Sequence, residues 1–247
     1  MKLNFLKLNK EFQENGFFVC KKIFDKENIA IIKDEIYKSE NSIKYYDKFK
    51  KLRRIEKLYN KGDTLINANK KILYLLKLIF HKEFLIFKDK FNAKPPGGEG
   101  FYAHYDGIFK FIDENNISRN GWYEYGNFFI NALISLDECN ENNGSIELAK
   151  AHKGDFAELL KNTRNNGTPA LSKEIESKIP FNLINLDAGD VVFFSNTCPH
   201  RSKKNKTKHN RRILYYTYSL AKHGSKYDIY FQDKLKSKNP LKALTEK

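Results

Sequence analysis

The sequence predicts an α+β fold with a mainly β core, a sandwich or barrel of short strands flanked by N-terminal helices. Three observations carry that expectation. Apolar residues up to about position 83 recur with helical spacing. From Phe84 onward the chain becomes a succession of short β-type runs. Turn signals punctuate those runs: Pro95-Pro-Gly-Gly98, Asn142-Asn-Gly144 and Asp187-Ala-Gly-Asp190. The length of 247 residues suits one large domain. Aromatic residues make up 14% of the chain, too many for a disordered polymer.

Taken in order, the first 25 residues suggest a short helix, a break at Gly16 and a strand over Phe17–Phe24. Asp25 is placed to cap a second helix running through Ile29, Ile31, Ile32 and Ile36, whose spacing suits a partly buried face. A polar stretch, 38–64, follows. Ile72, Leu73, Leu75, Leu76, Leu78 and Ile79 then make a strongly apolar helix ending near His81. Strands are expected at Phe84–Phe91, Gly100–Asp106, Asn127–Leu136, Ser145–Leu148, Ile184–Leu186, Asp190–Ser195 and Arg211–Tyr218. The segment 107–126 and the tail from about 221 are candidate loops or lids. The division expected is a helical flank over 1–83, a β core over 84–220 and a tail or lid over 221–247, all in one domain.

Charge and cysteine content narrow the partners. The formal charge is +15, but 38 of the 45 basic residues are Lys, spread through every segment. Readers of nucleic acid favour Arg, whose planar fork pairs with bases and phosphate, so a diffuse Lys excess argues against nucleic acid. No run of 18 or more apolar residues is present, and the first residues lack the continuous apolar core of a signal peptide. Cys20, Cys139 and Cys198 are odd in number and widely spaced, which suits a reducing compartment. The expectation is a cytoplasmic protein with no membrane or nucleic-acid partner, acting on a small molecule. Oligomeric state is not encoded in any visible pattern.

The chemistry gathers at three residues. In Phe101-Tyr-Ala-His-Tyr-Asp-Gly107, His104 and Asp106 are two apart in a β-type run and so project to one side. His200 follows the apolar run Asp190–Ser195 and the turn Asn196-Thr-Cys-Pro199. Two imidazoles and one carboxylate on neighbouring positions would hold one face of a non-haem Fe(II), leaving the other face open. A His-x-Asp pair alone is common. Arg211, eleven residues after His200, strengthens it as a partner for a dicarboxylate.

With these motifs in place, the sequence resembles the phytanoyl-CoA dioxygenase-like family of Fe(II)/2-oxoglutarate-dependent oxygenases. The resemblance runs through Gly16-Phe-Phe-Val19, Lys94-Pro-Pro-Gly-Gly-Glu-Gly-Phe101, His104-Tyr-Asp106 and Ile134–Leu148. It continues through Ala151-His-Lys-Gly154, Gly189–Phe194, His200-Arg-Ser202, Asn205, Thr207 and Arg211-Arg212. It implies a double-stranded β-helix, a jelly-roll or cupin-like barrel. It also implies Fe(II) as cofactor, with 2-oxoglutarate and O2 as cosubstrates and a C–H hydroxylation that releases succinate and CO2. By the same resemblance His104, Asp106 and His200 would ligate the metal, Arg211 would pair with the far carboxylate of 2-oxoglutarate, and Ser202 would support it. Arg212 is the competitor of Arg211, because adjacent strand residues face opposite sides. Tyr105 stands where the family often has Gln and is expected to face outward. Ala149-Lys-Ala-His152 replaces a usual Pro-Gly-Ser-His, so that turn is expected to differ. His152 and His209 fit structural or solvated roles, and Cys198 fits a small buried thiol.

For substrate the chain looks like a bacterial branch that includes hydroxylases of aminoalkylphosphonates. An amino acid, acyl-CoA, sugar or natural-product intermediate, or a non-catalytic binding role, are the alternatives. Lys88, Lys90, Asn92 and Lys94 share one strand parity and would line an anion-accepting mouth if it faces inward. The plainer expectation leaves these lysines in solvent, with Phe87 and Phe91 in the core. Lys90, Lys94, Trp122 and Asn131 are the candidate substrate contacts, and Arg53 and Arg54 are further candidate anion contacts. Trp122 and Tyr123 would form an aromatic cage for an amine, or simply pack.

Overall fold

A computed structural model describes residues 3–47, 49–164 and 168–237. The N-terminal part contains α1 (Phe5–Asn15), β1 (Phe17–Cys20), α2 (Lys26–Lys38), β2 (Ile43–Tyr46), β3 (Leu52–Glu56) and α3 (Asp63–Phe80). The strands β4 (Phe84–Lys94), β5 (Phe101–His104), β6 (Phe111–Ile112), β7 (Ser118–Arg119), β8 (Phe129–Ser135) and β9 (Ile146–Leu148) follow. Two short helices, α4 (Phe156–Lys161) and α5 (Lys173–Ser177), precede β10 (Asn182–Leu183), β11 (Val191–Ser195), β12 (His200–Ser202) and β13 (Arg211–Leu220). The last described helix is α6 (Tyr227–Lys236).

The strands form two main antiparallel sheets, in the orders β1-β11-β8-β13-β4-β3-β2 and β10-β9-β12-β5. This is the expected mainly β core, a double-stranded β-helix. Side-chain alternation divides its two faces. Ile213 and Tyr215 of β13 meet Ile146 and Leu148 of the smaller sheet inside the roll. The intervening Leu214 and Tyr216 pack with Ile32, Leu65, Ile72 and Leu76 of the helices outside it. Because helices cover the outer face, β8 is buried along its whole length. Each large apolar side chain buried this way contributes about 1.5–3 kcal/mol before entropy is counted.

Helix boundaries follow their chemistry. Asp25 caps α2, its carboxylate accepting from the Asn28 amide at 2.7 Å. The apolar helix predicted over 72–79 begins earlier, at Asp63, and ends where His81 turns left-handed. Gly16 terminates α1 with φ +81° and does more. A Cβ there would lie 2.2 Å from the Ala151 Cβ and 2.9 Å from the Cys198 Sγ. Its carbonyl accepts from the Ser195 amide at 2.8 Å, so this close approach seats β1 beside the turn that leads to His200.

Several local expectations change. The strand predicted over Phe17–Phe24 stops at Cys20, and the flank is not purely helical, since it supplies β1 to one edge of the large sheet and β2 and β3 to the other. The polar stretch 38–64 contains the β2–β3 hairpin, whose polarity fits a sheet edge. The strand expected at Ile184–Leu186 is displaced to Asn182–Leu183, leaving Leu186 a single bridge to Cys139. The expected loop at 107–126 carries the small β6–β7 hairpin and a 3-10 turn at Gly121–Glu124. The tail is helical over Tyr227–Lys236 and buries Tyr227, Tyr230 and Phe231. Residues 238–247 of the expected lid lie outside the described residues. Among the described residues, no helix is long and apolar enough to cross a membrane.

Candidate metal centre and its pocket

His104 and His200 are brought together by strand pairing: β12 pairs antiparallel with β5, with the two histidines directly opposite. Their rings lie 4.1 Å apart, centroid to centroid. Asp106 sits just past the end of β5, where its amide donates to the Asn196 carbonyl at 3.1 Å. One ligand atom from each of the three residues falls within 4.8 Å of the others. The turn after Asp106 depends on Gly107, whose φ is +77° and whose Cβ would stand 2.4 Å from the Trp122 ring.

Both imidazoles are oriented from behind. The Nδ1 of His104 donates to the Tyr102 carbonyl at 2.7 Å, and that of His200 to the Cys198 carbonyl at 3.0 Å. A carbonyl only accepts, so each Nδ1 carries the proton and each Nε2 lone pair is left free. Burial and the neighbouring His200 hold His104 down to about 3, and burial lowers His200 as well, so both rings stay neutral. Asp106 behaves oppositely. Burial works against its charge, but the Lys90 ammonium, with Lys88 beyond it, outweighs that and keeps its carboxyl well below the usual range. Its Oδ2 accepts from the Asn131 amide at 2.9 Å, and the Asn131 carbonyl accepts from the Thr217 hydroxyl at 2.7 Å. Two neutral imidazoles and one ionised carboxylate, aimed inward and supported by hydrogen bonds, are a donor set that suits a divalent first-row metal.

Below this cluster the two strand parities of β13 send its adjacent arginines to opposite sides. Arg212 faces away and grips Asp137 with two nitrogens, at 2.7 and 2.8 Å. Arg211 is buried in the same pocket as the cluster. One of its terminal nitrogens donates to the Gly144 carbonyl at 3.2 Å, while its buried Nε has no partner among the described residues. A buried guanidinium N–H without an acceptor is costly unless a ligand oxygen completes it, which fits a carboxylate there. Ser202 lines the same wall and accepts from the Lys94 ammonium at 2.8 Å, which leaves its own hydroxyl proton to give.

The substrate candidates divide. Lys88, Lys90 and Asn92 do face the pocket, against the plainer expectation of solvated lysines, while Phe87 and Phe91 lie in the core as expected. Lys94 is not in the pocket lining, and its ammonium donates to the Gly144 carbonyl at 3.2 Å, to Ser202 and to the Lys203 carbonyl at 2.5 Å. Asn131 is likewise not in the lining and instead bonds the Asp106 carboxylate. Trp122 lines the pocket, but the Lys88 ammonium already sits 5.0 Å from its ring, so it packs and does not form an open cage with Tyr123. Tyr123 packs on Phe156. Arg54 lines the pocket, whereas Arg53 reaches the Glu99 carbonyl. Tyr105 is fully buried, not outward-facing, and its hydroxyl bonds His152 Nδ1 and Asn162. Cys198 is buried and His209 exposed, as expected. Sequence reasoning missed Tyr215 and Tyr230 in the pocket wall. The aromatic spacing of Tyr227, Tyr230 and Phe231 was the available signal for the second.

A double-stranded β-helix with a His–Asp–His cluster at its mouth and a buried arginine below belongs to the oxygenases that use iron, 2-oxoglutarate and O2. The chain is a member of the phytanoyl-CoA dioxygenase family, whose model matches residues 12–213. It is 27% identical over 239 residues to a 2-aminoethylphosphonate dioxygenase from an uncultured bacterium, covering 91% of this chain and 85% of that one. It is 29% identical over 154 residues to a methylphosphonate hydroxylase of Gimesia maris, covering 62% of this chain and 52% of that one. Among solved structures, the epimerase SnoN in complex with Fe3+, alpha ketoglutarate and a nogalamycin compound aligns with a TM-score of 0.67 at 16% identity, covering 98% and 95% of the two chains. EctD from S. alaskensis with 2-oxoglutarate and 5-hydroxyectoine aligns with a TM-score of 0.66 at 14% identity, covering 88% and 76%.

Proposed function

We propose that the protein is an Fe(II)- and 2-oxoglutarate-dependent hydroxylase of a small anionic molecule, an aminoalkylphosphonate being the substrate class its pocket fits best. The observation that carries this reading is the grouping of His104, Asp106 and His200 beside a buried Arg211 whose Nε lacks an acceptor among the described residues, all in one pocket. His104, Asp106 and His200 would hold the metal, and Arg211 with Ser202 would hold the far carboxylate of 2-oxoglutarate. Such a centre supplies the coupled oxidation of 2-oxoglutarate to succinate and CO2 and of a substrate C–H to C–OH by dioxygen.

The chain's own residues set up that chemistry in three ways. Carbonyl partners fix the tautomers of both histidines, so their Nε2 lone pairs face the pocket without rearrangement. Thr217 and Asn131 hold the Asp106 carboxylate in one orientation. Trp122, Tyr215 and Tyr230 wall the pocket with aromatic surface, excluding water and placing a bound C–H near the cluster. Resemblance to phosphonate oxidisers and a lysine-lined wall support the substrate class.

The test is succinate release from 2-oxoglutarate, screened across 2-aminoethylphosphonate, other aminoalkylphosphonates, amino acids, acyl-CoAs, sugars and natural-product intermediates. Substrate-dependent release with an aminoalkylphosphonate supports the full reading. Release only with another class keeps the oxygenase and rejects the phosphonate. Release with none of them, on iron-loaded protein, rejects the catalytic reading.

A further inference from the structure

The pocket holds more positive charge than the cofactor and cosubstrate need. Arg54 from β3 and Lys88 and Lys90 from β4 all line it, on the wall made by the edge of the large sheet. Asp106 and a 2-oxoglutarate dianion would be balanced by a divalent metal and Arg211. Arg201, also in the lining, is neutralised by Glu147 and Glu176 at 2.7 and 3.1 Å. Behind the wall stands buried Glu56, but its single charge is shared between Lys234 and a 3.6 Å contact with Arg54, so it offsets the three cations in front of it only in part.

Those cations are also short of acceptors. The Lys88 ammonium is buried, and its one hydrogen bond among the described residues goes to the Tyr230 hydroxyl at 3.3 Å. The Lys90 ammonium rests 4.6 Å from the centre of the Tyr215 ring, and no hydrogen bond to it is seen among the described residues. Arg54 makes a loose contact with Glu56 at 3.6 Å and rests 5.9 Å from the centre of the Tyr45 ring. Burial lowers both lysines, Lys90 to about 8, and Arg54 adds to that lowering, while Asp106 and Glu56 oppose it without overcoming it. A buried ammonium with undirected N–H groups is held at a cost that an anionic ligand would remove.

We propose that Arg54, Lys88 and Lys90 form a substrate subsite for a tetrahedral, doubly charged head group, a phosphonate, which anchors the substrate so that its carbon chain reaches the His104–Asp106–His200 cluster. This deepens, and rests on, the hydroxylase reading above. Three donors from two strands suit three phosphonate oxygens, whereas a carboxylate offers two oxygens and one charge. Glu56 and Tyr230 position the donors: the carboxylate lies behind Arg54 and Lys88, and the hydroxyl fixes Lys88 over Trp122. The C-terminal helix α6, which carries Tyr230 and Lys234, therefore takes part in substrate selection.

The test is calorimetric binding of methylphosphonate to the full-length, metal-free protein, with acetate as the monoanionic comparison. Expected is methylphosphonate binding that Lys88→Met and Arg54→Met each weaken roughly tenfold or more, that Lys88→Arg largely preserves, and that acetate matches at least roughly tenfold less tightly. Binding should survive Arg211→Ala, which separates this subsite from the 2-oxoglutarate end. Circular dichroism and the melting temperature establish that each variant folds, and Lys88→Arg keeps the test decisive if Lys88→Met does not. The subsite is overturned if Lys88→Met and Arg54→Met bind as the wild type, if Arg211→Ala alone abolishes binding, or if methylphosphonate fails to bind. If it fails while another substrate still releases succinate, the hydroxylase stands without this subsite. If no substrate releases succinate, the underlying reading has failed instead.

Discussion

Asn131 and Asp106 are joined by a single buried hydrogen bond, 2.9 Å from amide nitrogen to carboxylate oxygen, and Thr217 fixes Asn131 in turn. The carboxylate at the cluster is thus oriented by a residue that never reaches the pocket. Supporting partners of this kind typically govern metal affinity by about 10–100-fold. Asn131→Ala should weaken Fe(II) binding by that order while leaving the fold intact, measured by anaerobic metal titration. Thr217→Val should produce a smaller effect in the same direction. Unchanged affinity in both variants would remove Asn131 from the site's design.

The adjacent arginines of β13 should separate cleanly in kinetics. Arg211→Ala should raise the KM for 2-oxoglutarate by roughly thirtyfold or more, the cost of losing a buried charged contact. Arg212→Ala should leave that KM unchanged. It should lower stability by about 1–2 kcal/mol, because Asp137 loses two hydrogen bonds and, among the described residues, keeps Lys33 alone as a charged partner. Steady-state kinetics and denaturant unfolding check the two halves.

Gly107 is required both for its positive φ and for its contact with the Trp122 ring. Gly107→Ala should strain the turn that follows Asp106, at a cost of about 1–3 kcal/mol, and weaken metal binding as well. An alanine variant with wild-type melting temperature and metal affinity would contradict this.

Acid should loosen the wall behind the pocket. Burial works against the charge of Glu56, yet Lys234, Lys88 and Arg54 bring its carboxyl down to about 2 from an ordinary 4.5. A folded-state value below the unfolded one means the stabilisation is full above about pH 4.5 and disappears as pH falls towards 2. The size is about 3 kcal/mol. Glu56→Gln should therefore be less stable than wild type at pH 7 and show a flatter stability profile between pH 5 and 2, by urea unfolding.

Much of this was legible in the sequence where local chemistry dictates local structure. Asp25 caps its helix, and Arg211 and Arg212 face opposite sides because strand side chains alternate. The i, i+2 relation brought His104 and Asp106 together even though β5 ends at His104. What the sequence did not reveal depends on pairing between distant segments. Lys94 looked like its neighbours on the same face, but only the approach of Gly144 and Lys203 shows that its ammonium is already engaged. Asn131 looked like a pocket residue until Asp106, 25 positions away, turned out to be its partner. Tyr105 sits between the two ligating positions and was expected to face outward, but a long segment covers it and supplies His152 and Asn162.

The most direct test of the central claim is the visible absorbance of the protein under anaerobic conditions with Fe(II) and 2-oxoglutarate. A weak metal-to-ligand charge-transfer band should appear in the wild type and be reduced or lost in His104→Ala and in Asp106→Ala. No band in iron-replete wild-type protein, or a band indifferent to both substitutions, would contradict the assignment of this site.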